Sequence, residues 1–442
     1  MATHARYLSL SLVTAVLICI TTVATNLVVD PFGAYKLVEW TGVNTSKPAM
    51  QRRVKLAKAY DLRHVTPQAI VLGTSRSHIG LRMTHPGWSV ALPRRYNSAF
   101  DGATTREMYA YLRHAYALQP VRQVVLGLDT WQLGDGPATV RPDFDPSLLL
   151  TSGGYLDRVR LAANDIRLLA NLATVQASFK TLAEQEAGPT WLAADGQRVG
   201  DVFFHEAEPS FVKAPGDYFR HVDQEEVGYK TEQAPPGRIK EPMGPGQAGS
   251  RPAQAETSFD YLARIVTFCR EKHVDLRIFL TPAHAHQLEI ARQVGEWPKI
   301  EKGKRELTSL LAADAAQHPN EEPFPLYDFS GYSSVTTETV PASGSRAEMT
   351  FYWDSSHFKE LVGDWILDRL FDVHAAETEA PIDFGVKLTT GNVDAVNARM
   401  HANADAYRSA HADDVLFIKE LVAKARSGQS LVAHSYNVDP QG

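Results

Sequence analysis

The chain has 442 residues, 44% of them hydrophobic and 22% charged, the proportions of an ordinary globular protein with room for a large core and for more than one domain. A net charge of -6 and a pI near 6.2 leave no electrostatic footprint for nucleic acid, and no zinc-finger, basic-helix or RNA-binding signature appears. Of the two cysteines, Cys19 lies in an apolar N-terminal run and Cys269 in a predicted helix, which argues against an intramolecular disulfide; bulky Ile18 before Cys19 does not suit a lipoprotein site.

From Tyr7 to Val29 the chain carries no charge and, Asn26 apart, is apolar or hydroxylic. That is roughly 23 residues, enough for one membrane-spanning helix. His4 and Arg6 precede it, which favours an N-inside orientation with everything after Val29 on the outer face. The rival reading is a cleavable signal peptide with Thr22-Val23-Ala24 as the processing site; the length of the run favours the anchor. Residues 30–65 read as a juxtamembrane segment, basic in its second half at Arg52, Arg53, Lys55 and Lys58. A solvated face is the expectation for those cations, with anionic lipid as the alternative.

Ala69 to Leu72 is a short buried strand broken by Gly73, and Thr74-Ser75-Arg76 follow at once. Ligands of α/β proteins gather at the carboxyl ends of parallel strands, so Ser75 stands where a nucleophile is exposed. Next comes Asn97-Ser98-Ala99-Phe100-Asp101-Gly102, then a capping box (Thr104, Glu107) opening a helix through Met108, Leu112, Ala115 and Tyr116 that ends near Pro120. The strand Gln123–Leu128 ends in Asp129, completing a βαβ unit and predicting a parallel sheet.

Between about 140 and 255 the pattern loosens into an insertion expected to cover or flank the site, with one helix over Leu156 to Leu182 and a Pro/Gly-rich loop from Pro235 to Pro252. The α/β pattern resumes with a helix over 258–272 and a strand over 276–280. His284 and His286 follow that strand, then helices through Leu288 and near 304–312, and a short strand at 326–329. The segment Trp353-Asp354-Ser355-Ser356-His357 precedes a last core helix carrying Val362, Trp365, Ile366 and Leu370. Two helices beyond Pro381 (about 392–410 and 413–425) read as an appendage packed on the core or on a partner.

A serine hydroxyl needs a base oriented by a third group, and Asp354 and His357, three apart, supply both if their segment is a tight turn entering a helix. The same spacing also arises when an aspartate merely caps a helix. His284 and His286, on a loop at the carboxyl end of a strand, are candidates for substrate contact or for plain backbone bonding. With Asp129 and His357 they also make a weaker candidate metal site. Arg76 suits either an anionic substrate group or a carboxylate partner, and Trp353 either a sugar platform or, more often for such a residue, the core.

Taken together, Gly73-Thr74-Ser75 and Asp354-x-x-His357 resemble the first and last blocks of the SGNH (GDSL-like) hydrolase superfamily, over roughly residues 66–375. The resemblance implies a three-layer α/β/α, flavodoxin-like parallel sheet, here with an N-terminal transmembrane helix (1–29), a juxtamembrane segment (30–65), a mid-chain insertion and a C-terminal helical appendage (376–442). It implies Ser75 as nucleophile, His357 as base and Asp354 as orienter, and matches Asn97–Gly102 to a second block whose Gly102 N–H is a candidate oxyanion donor. Thr74 stands where the family typically has Asp, and Asp129 where an oxyanion-binding Asn is usual. A carboxylate opposes a developing oxyanion, which leaves Asp129 to cap a helix, bind a substrate hydroxyl or orient Arg76. The likeness extends to membrane-anchored bacterial envelope proteins related to polysaccharide O-acetylation and teichoic acid D-alanylation. It implies an extracytoplasmic esterase or O-acyltransferase on a glycan, held in the inner membrane and set beside a membrane-bound O-acyltransferase, with no cofactor. The rival class is a catalytically silent scaffold of the same fold that binds polysaccharide or that acyltransferase; a metal-dependent hydrolase is a third.

Overall fold

The computed structural model describes residues 2–134, 136–185, 191–231, 256–375, 378–429 and 431. Within them the chain divides into two compact units. One gathers Met1–Pro67, Arg113–Pro120 and Asp143–Leu192; the other gathers Gln68–Leu112, Val121–Pro142 and Ala193–Gly442. The Pro235–Pro252 loop expected from sequence lies outside the described residues.

The chain opens with α1 (Ala2–Val29), apolar and long enough to cross a membrane by length and composition. Its residues 4–21 are all exposed, and packing begins only in the last two turns. Past a turn closed by the Asp30 carboxylate, which accepts the N–H groups of Ala34, Tyr35 and Lys36, come α2 (Pro48–Gln51) and α3 (Val54–Val65). The expectation of a solvated basic face holds for Arg52 and Arg53 but not for the two lysines. Lys55 is buried against Asp143 at 2.7 Å, and Lys58 is fully buried.

The α/β unit begins at β1 (Ala69–Leu72), which leads into α4 (Ser75–Gly80), β2 (Arg95–Asn97), α5 (Thr105–Leu118) and β3 (Gln123–Leu128). The capping box forms as expected: Thr104 N–H donates to Glu107 Oε2 and Glu107 N–H to Thr104 Oγ1. The long helix expected over 156–182 is two helices, α6 (Tyr155–Leu169) and α7 (Leu172–Ala183). They are split because Asn171 turns its side chain onto the Ala173 N–H and caps a new helix. Then follow α8 (Gly200–Val202), running into a π-turn at Phe203–Ala207, and the helices α9 (Pro209–Lys213) and α10 (Pro215–Lys230).

After α11 (Ser258–Glu271) come β4 (Asp275–Leu280), α12 (Ala285–Val294), α13 (Trp297–Gln317), β5 (Leu326–Asp328), α14 (Glu360–Phe371), β6 (Val386–Lys387), α15 (Val393–Ala410) and α16 (Ala412–Arg426). The sheet runs β2-β1-β3-β4-β5-β6; β6 alone is antiparallel, beside β5. Every residue of β1 and β3 is buried, which is why both strands read as unbroken apolar runs. Helices α15 and α16 pack on this unit. Met400 and Tyr407 join Leu288 and Trp297, and Ile418 and Leu421 join Ile290 and Val227.

Candidate functional site

β1 pairs with β3 from Ala69↔Gln123 to Leu72↔Leu126, so the chain leaves Leu72 next to the carboxyl half of β3. The turn into α4 is possible only because two positions lack a side chain. A Cβ on Gly73 would sit 2.4 Å from Ser77 Oγ, and one on Gly127 of β3 would sit 2.2 Å from the same atom. The Ser77 side chain therefore lies wedged between the two strands and draws the first turn of α4 onto the sheet. Thr74 is the N-cap, its hydroxyl accepting from the Arg76 N–H. Ser75 is then the first helical residue, half-buried, and its backbone N–H is among those no helical carbonyl reaches.

The Asp354/His357 segment is a tight loop entering α14. It is pinched by Trp353 N–H to His357 O and Lys359 N–H to Phe351 O, with Tyr352 bridging Phe358. Asp354 Oδ1 accepts the N–H groups of Ser356 (2.7 Å) and His357 (2.8 Å); Oδ2 faces His357 Nδ1 at 2.9 Å. Burial alone would raise the Asp354 carboxyl, but the imidazole and the two backbone donors outweigh it and hold the group below the usual carboxylate range. A carboxylate facing Nδ1 keeps the proton there, which leaves Nε2 as an acceptor. Nε2 lies 2.8 Å from Ser75 Oγ. Ser75, His357 and Asp354 are thus brought together in one hydrogen-bonded line.

Arg76 and Asp129 stand behind that line. Asp129 Oδ1 accepts from Thr281 (2.6 Å) and Oδ2 from Thr74 (2.9 Å) and the Trp131 indole (3.0 Å); Arg76 Nη1 is 3.6 Å from Oδ1. The guanidinium also bonds Thr281 Oγ1 and Ser356 Oγ. Of the alternatives open from sequence, the carboxylate partner is the one found for Arg76. The pair ties the ends of β1, β3 and β4 to the loop that carries His357.

The other candidates lie away from the reacting line. Asn97, at the head of the second block and so an oxyanion or substrate-binding candidate, is fully buried; its amide donates to the carbonyls of Ser77 and Leu81 while Oδ1 accepts from Ala99 N–H, which ties it to α4. His284 and His286 sit at the start of α12, both almost wholly buried, and the plain backbone bond is the reading found for His284. His284 Nε2 bonds Glu338 O, and burial together with the neighbouring His286 pushes its pKa down to about 3. Its N–H holds Ser355 O, so it braces the loop from the rear, as does Gln287 on Ser355 Oγ. Trp353 is core, stacked on Phe204 at 4.8 Å. Phe204 belongs to the insertion and lies 6.5 Å from the His357 ring, so the insertion does flank the site. Gly102 has φ +57 and carries the Arg141 side chain on its carbonyl; Phe100 N–H to Gly73 O brings the strand end just before it onto the Ser75 turn. Among the described residues no three His, Cys, Asp or Glu side chains converge as a metal site.

His286 has a different environment. Its Nδ1 is 2.7 Å from Asp223 of α10 and its Nε2 3.6 Å from Asp414 of α16. Burial alone would lower its pKa, but the two carboxylates override that and lift it to about 9. A group raised above its unfolded value of about 6.5 gives stability that is complete below that value and lost as pH rises through the folded one. Thermal melts of the chain are therefore expected to fall between neutral pH and about pH 10, and Asp223→Asn is expected to move that loss to lower pH.

No model of a protein family, no curated protein and no solved structure matches the chain.

Proposed function

We propose that this chain is a membrane-anchored, extracytoplasmic serine esterase or O-acyltransferase acting on a glycan, with Ser75 as nucleophile, His357 as general base and Asp354 as the residue that holds the imidazole. The observation that carries the proposal is the unbroken line Ser75 Oγ–His357 Nε2 (2.8 Å) and His357 Nδ1–Asp354 Oδ2 (2.9 Å) at the carboxyl end of β1. His357 takes the Ser75 proton as Oγ attacks an ester carbonyl, then returns it to the departing alkoxide, leaving an acyl-serine. Water or a glycan hydroxyl next accepts the acyl group. The Ser75 N–H at the start of α4 is the first oxyanion donor, and the Gly102 N–H is the second candidate. The order of the two motifs and the parallel β1–β3–β4 sheet support the resemblance to the SGNH superfamily and its three-layer flavodoxin-like fold.

The apolar α1 supports a single-pass anchor in the plasma membrane, with the bulk of the chain outside it, near a membrane-bound O-acyltransferase. The carboxylate of Asp129, where the superfamily has an amide donor, favours a second reading: a scaffold that keeps the fold, binds glycan or acyltransferase and turns nothing over. Labelling of the detergent-solubilised full chain with a fluorophosphonate separates the two. The esterase reading expects one label per chain, lost in Ser75→Ala. A folded wild-type chain that takes no label gives way to the scaffold.

A further inference from the structure

We propose that α6 and α7 form a second membrane contact, an in-plane hairpin seated at the headgroup–acyl boundary of a lipid bilayer beside α1. The inference rests on the reading of α1 as a membrane anchor. Of the two helices α7 is amphipathic in the inverted sense, and α6 exposes an apolar stripe while burying polar residues beside its leucines. On α7 the buried positions are Thr174, Ser178 and Thr181, while Leu172 (70% exposed) and Phe179 (69%) point outward. On α6 the buried positions are Asp157, Leu161, Asn164 and Leu169, while Leu156 (81%), Val159 and Ile166 (65%) share one outward stripe. Their polar groups are committed inside the unit. Asp165 receives both Arg63 nitrogens and the Tyr60 hydroxyl, and Asp157 takes the N–H groups of Thr151, Ser152 and Gly153. A water-facing surface does not put its hydroxyls in and its leucines out; a lipid-facing one does.

Three further observations choose lipid as the occupant. The face is continuous with α1: Asn26, the one amide in the apolar run, donates to Leu169 O at 2.7 Å and accepts from Ser178 Oγ at 2.8 Å. That contact lies in the last turn of α1, where a spanning helix leaves the hydrocarbon, and residues 4–21 before it are all exposed. Lengths agree with a surface position: 15 and 12 residues give about 22 and 18 Å, short of the roughly 30 Å hydrocarbon core. Exposed Arg158 and Arg167 flank the apolar stripe of α6 on its two sides, at the level where guanidinium groups meet lipid phosphates. Exposed Trp40, just after α1, suits the same interface.

The test places an environment-sensitive fluorophore on single cysteines at Ile166, Phe179 and Leu12 of the full chain, with Cys19→Ala and Cys269→Ala. The chain is reconstituted in phosphatidylcholine–phosphatidylglycerol vesicles, with or without a lipid spin-labelled near the headgroup end of its acyl chain. Leu12 reports the anchor and the other two report the hairpin. Blue-shifted emission and loss of fluorescence with the spin-labelled lipid at 166 and 179 are expected. Quenching at 12 with unshifted emission at 166 and 179 overturns the hairpin and leaves the anchor standing. A blue shift at 166 and 179 without lipid quenching means that protein covers the face, and also overturns it. No quenching at any of the three removes the anchor reading itself.

Discussion

Asp354→Asn is expected to slow fluorophosphonate labelling of Ser75 by about 10³- to 10⁴-fold with little change in melting temperature. The size follows from how the carboxylate divides its two oxygens. Oδ1 is held by the N–H groups of Ser356 and His357, and an asparagine must keep its own carbonyl there because those donors need an acceptor. Its amide nitrogen then takes the Oδ2 place, 2.9 Å from His357 Nδ1, and favours the tautomer with the ring proton on Nε2, against the Ser75 hydroxyl; the carbonyl at the Oδ1 place, 3.0 Å from Nδ1, opposes this in part. An imidazole that donates to Ser75 cannot accept its proton. Asp354→Ala loses the loop anchor as well and is expected to lower the melting temperature in addition. Equal labelling rates for Asp354→Asn and wild type remove Asp354 from the mechanism.

Lys304→Met is expected to carry the largest stability loss, about 3–5 kcal/mol. Lys304 Nζ lies 2.7 Å from Asp328 Oδ2, with both side chains almost wholly out of water, and Ser330 supplies two bonds to Oδ1. Burial by itself would raise the Asp328 carboxyl; the ammonium and the Ser330 donors outweigh it and hold the group below its usual value. A depressed carboxylate gives stability that is present above its unfolded pKa and is lost as pH falls through the folded one. Without Lys304 the sign reverses. Burial then raises Asp328, the penalty stands at neutral pH, and it shrinks as acid protonates the carboxyl. Thermal melts across the acid range should therefore show wild type and variant converging as pH drops. A double change, Lys304→Met with Asp328→Leu, should recover much of the loss, since neither charge is then left buried alone.

Much of the α/β unit was legible because its signals are local. Ala69–Leu72, Gln123–Leu128 and the strand near 276–280 are apolar runs of strand length, and Thr104/Glu107 states a helix start outright. The line from Ser75 to Asp354 was legible through the resemblance of its two motifs to the SGNH blocks: each turn is local, but nothing local joins two turns 282 residues apart. What escaped is set by distant neighbours. Arg95–Asn97 and Val386–Lys387 are strands only because β1 and β5 offer an edge. Lys55 and Lys58 look solvated until Asp143 and the rest of that unit close over them. The same holds for His284 and His286, which look like loop residues until α10 and α16 cover them.

The hydrogen bond from Ser178 to Asn26 closes a loop of 152 residues, and that sets an order of events during synthesis. A chain emerging from its N-terminus presents α1 first, yet the Asn26 side chain in its last turn meets its partners only when Leu169 and then Ser178 have been made. Closing so long a loop costs little more than closing one half as long, about 0.6 kcal/mol per doubling, so delay rather than free energy is what the arrangement imposes. β1, β2 and β3 are made during that interval, while β4 and β5 arrive later still. Three of the six strands are therefore made before Ser178 and wait for β4, β5 and β6, with their edges exposed in the meantime.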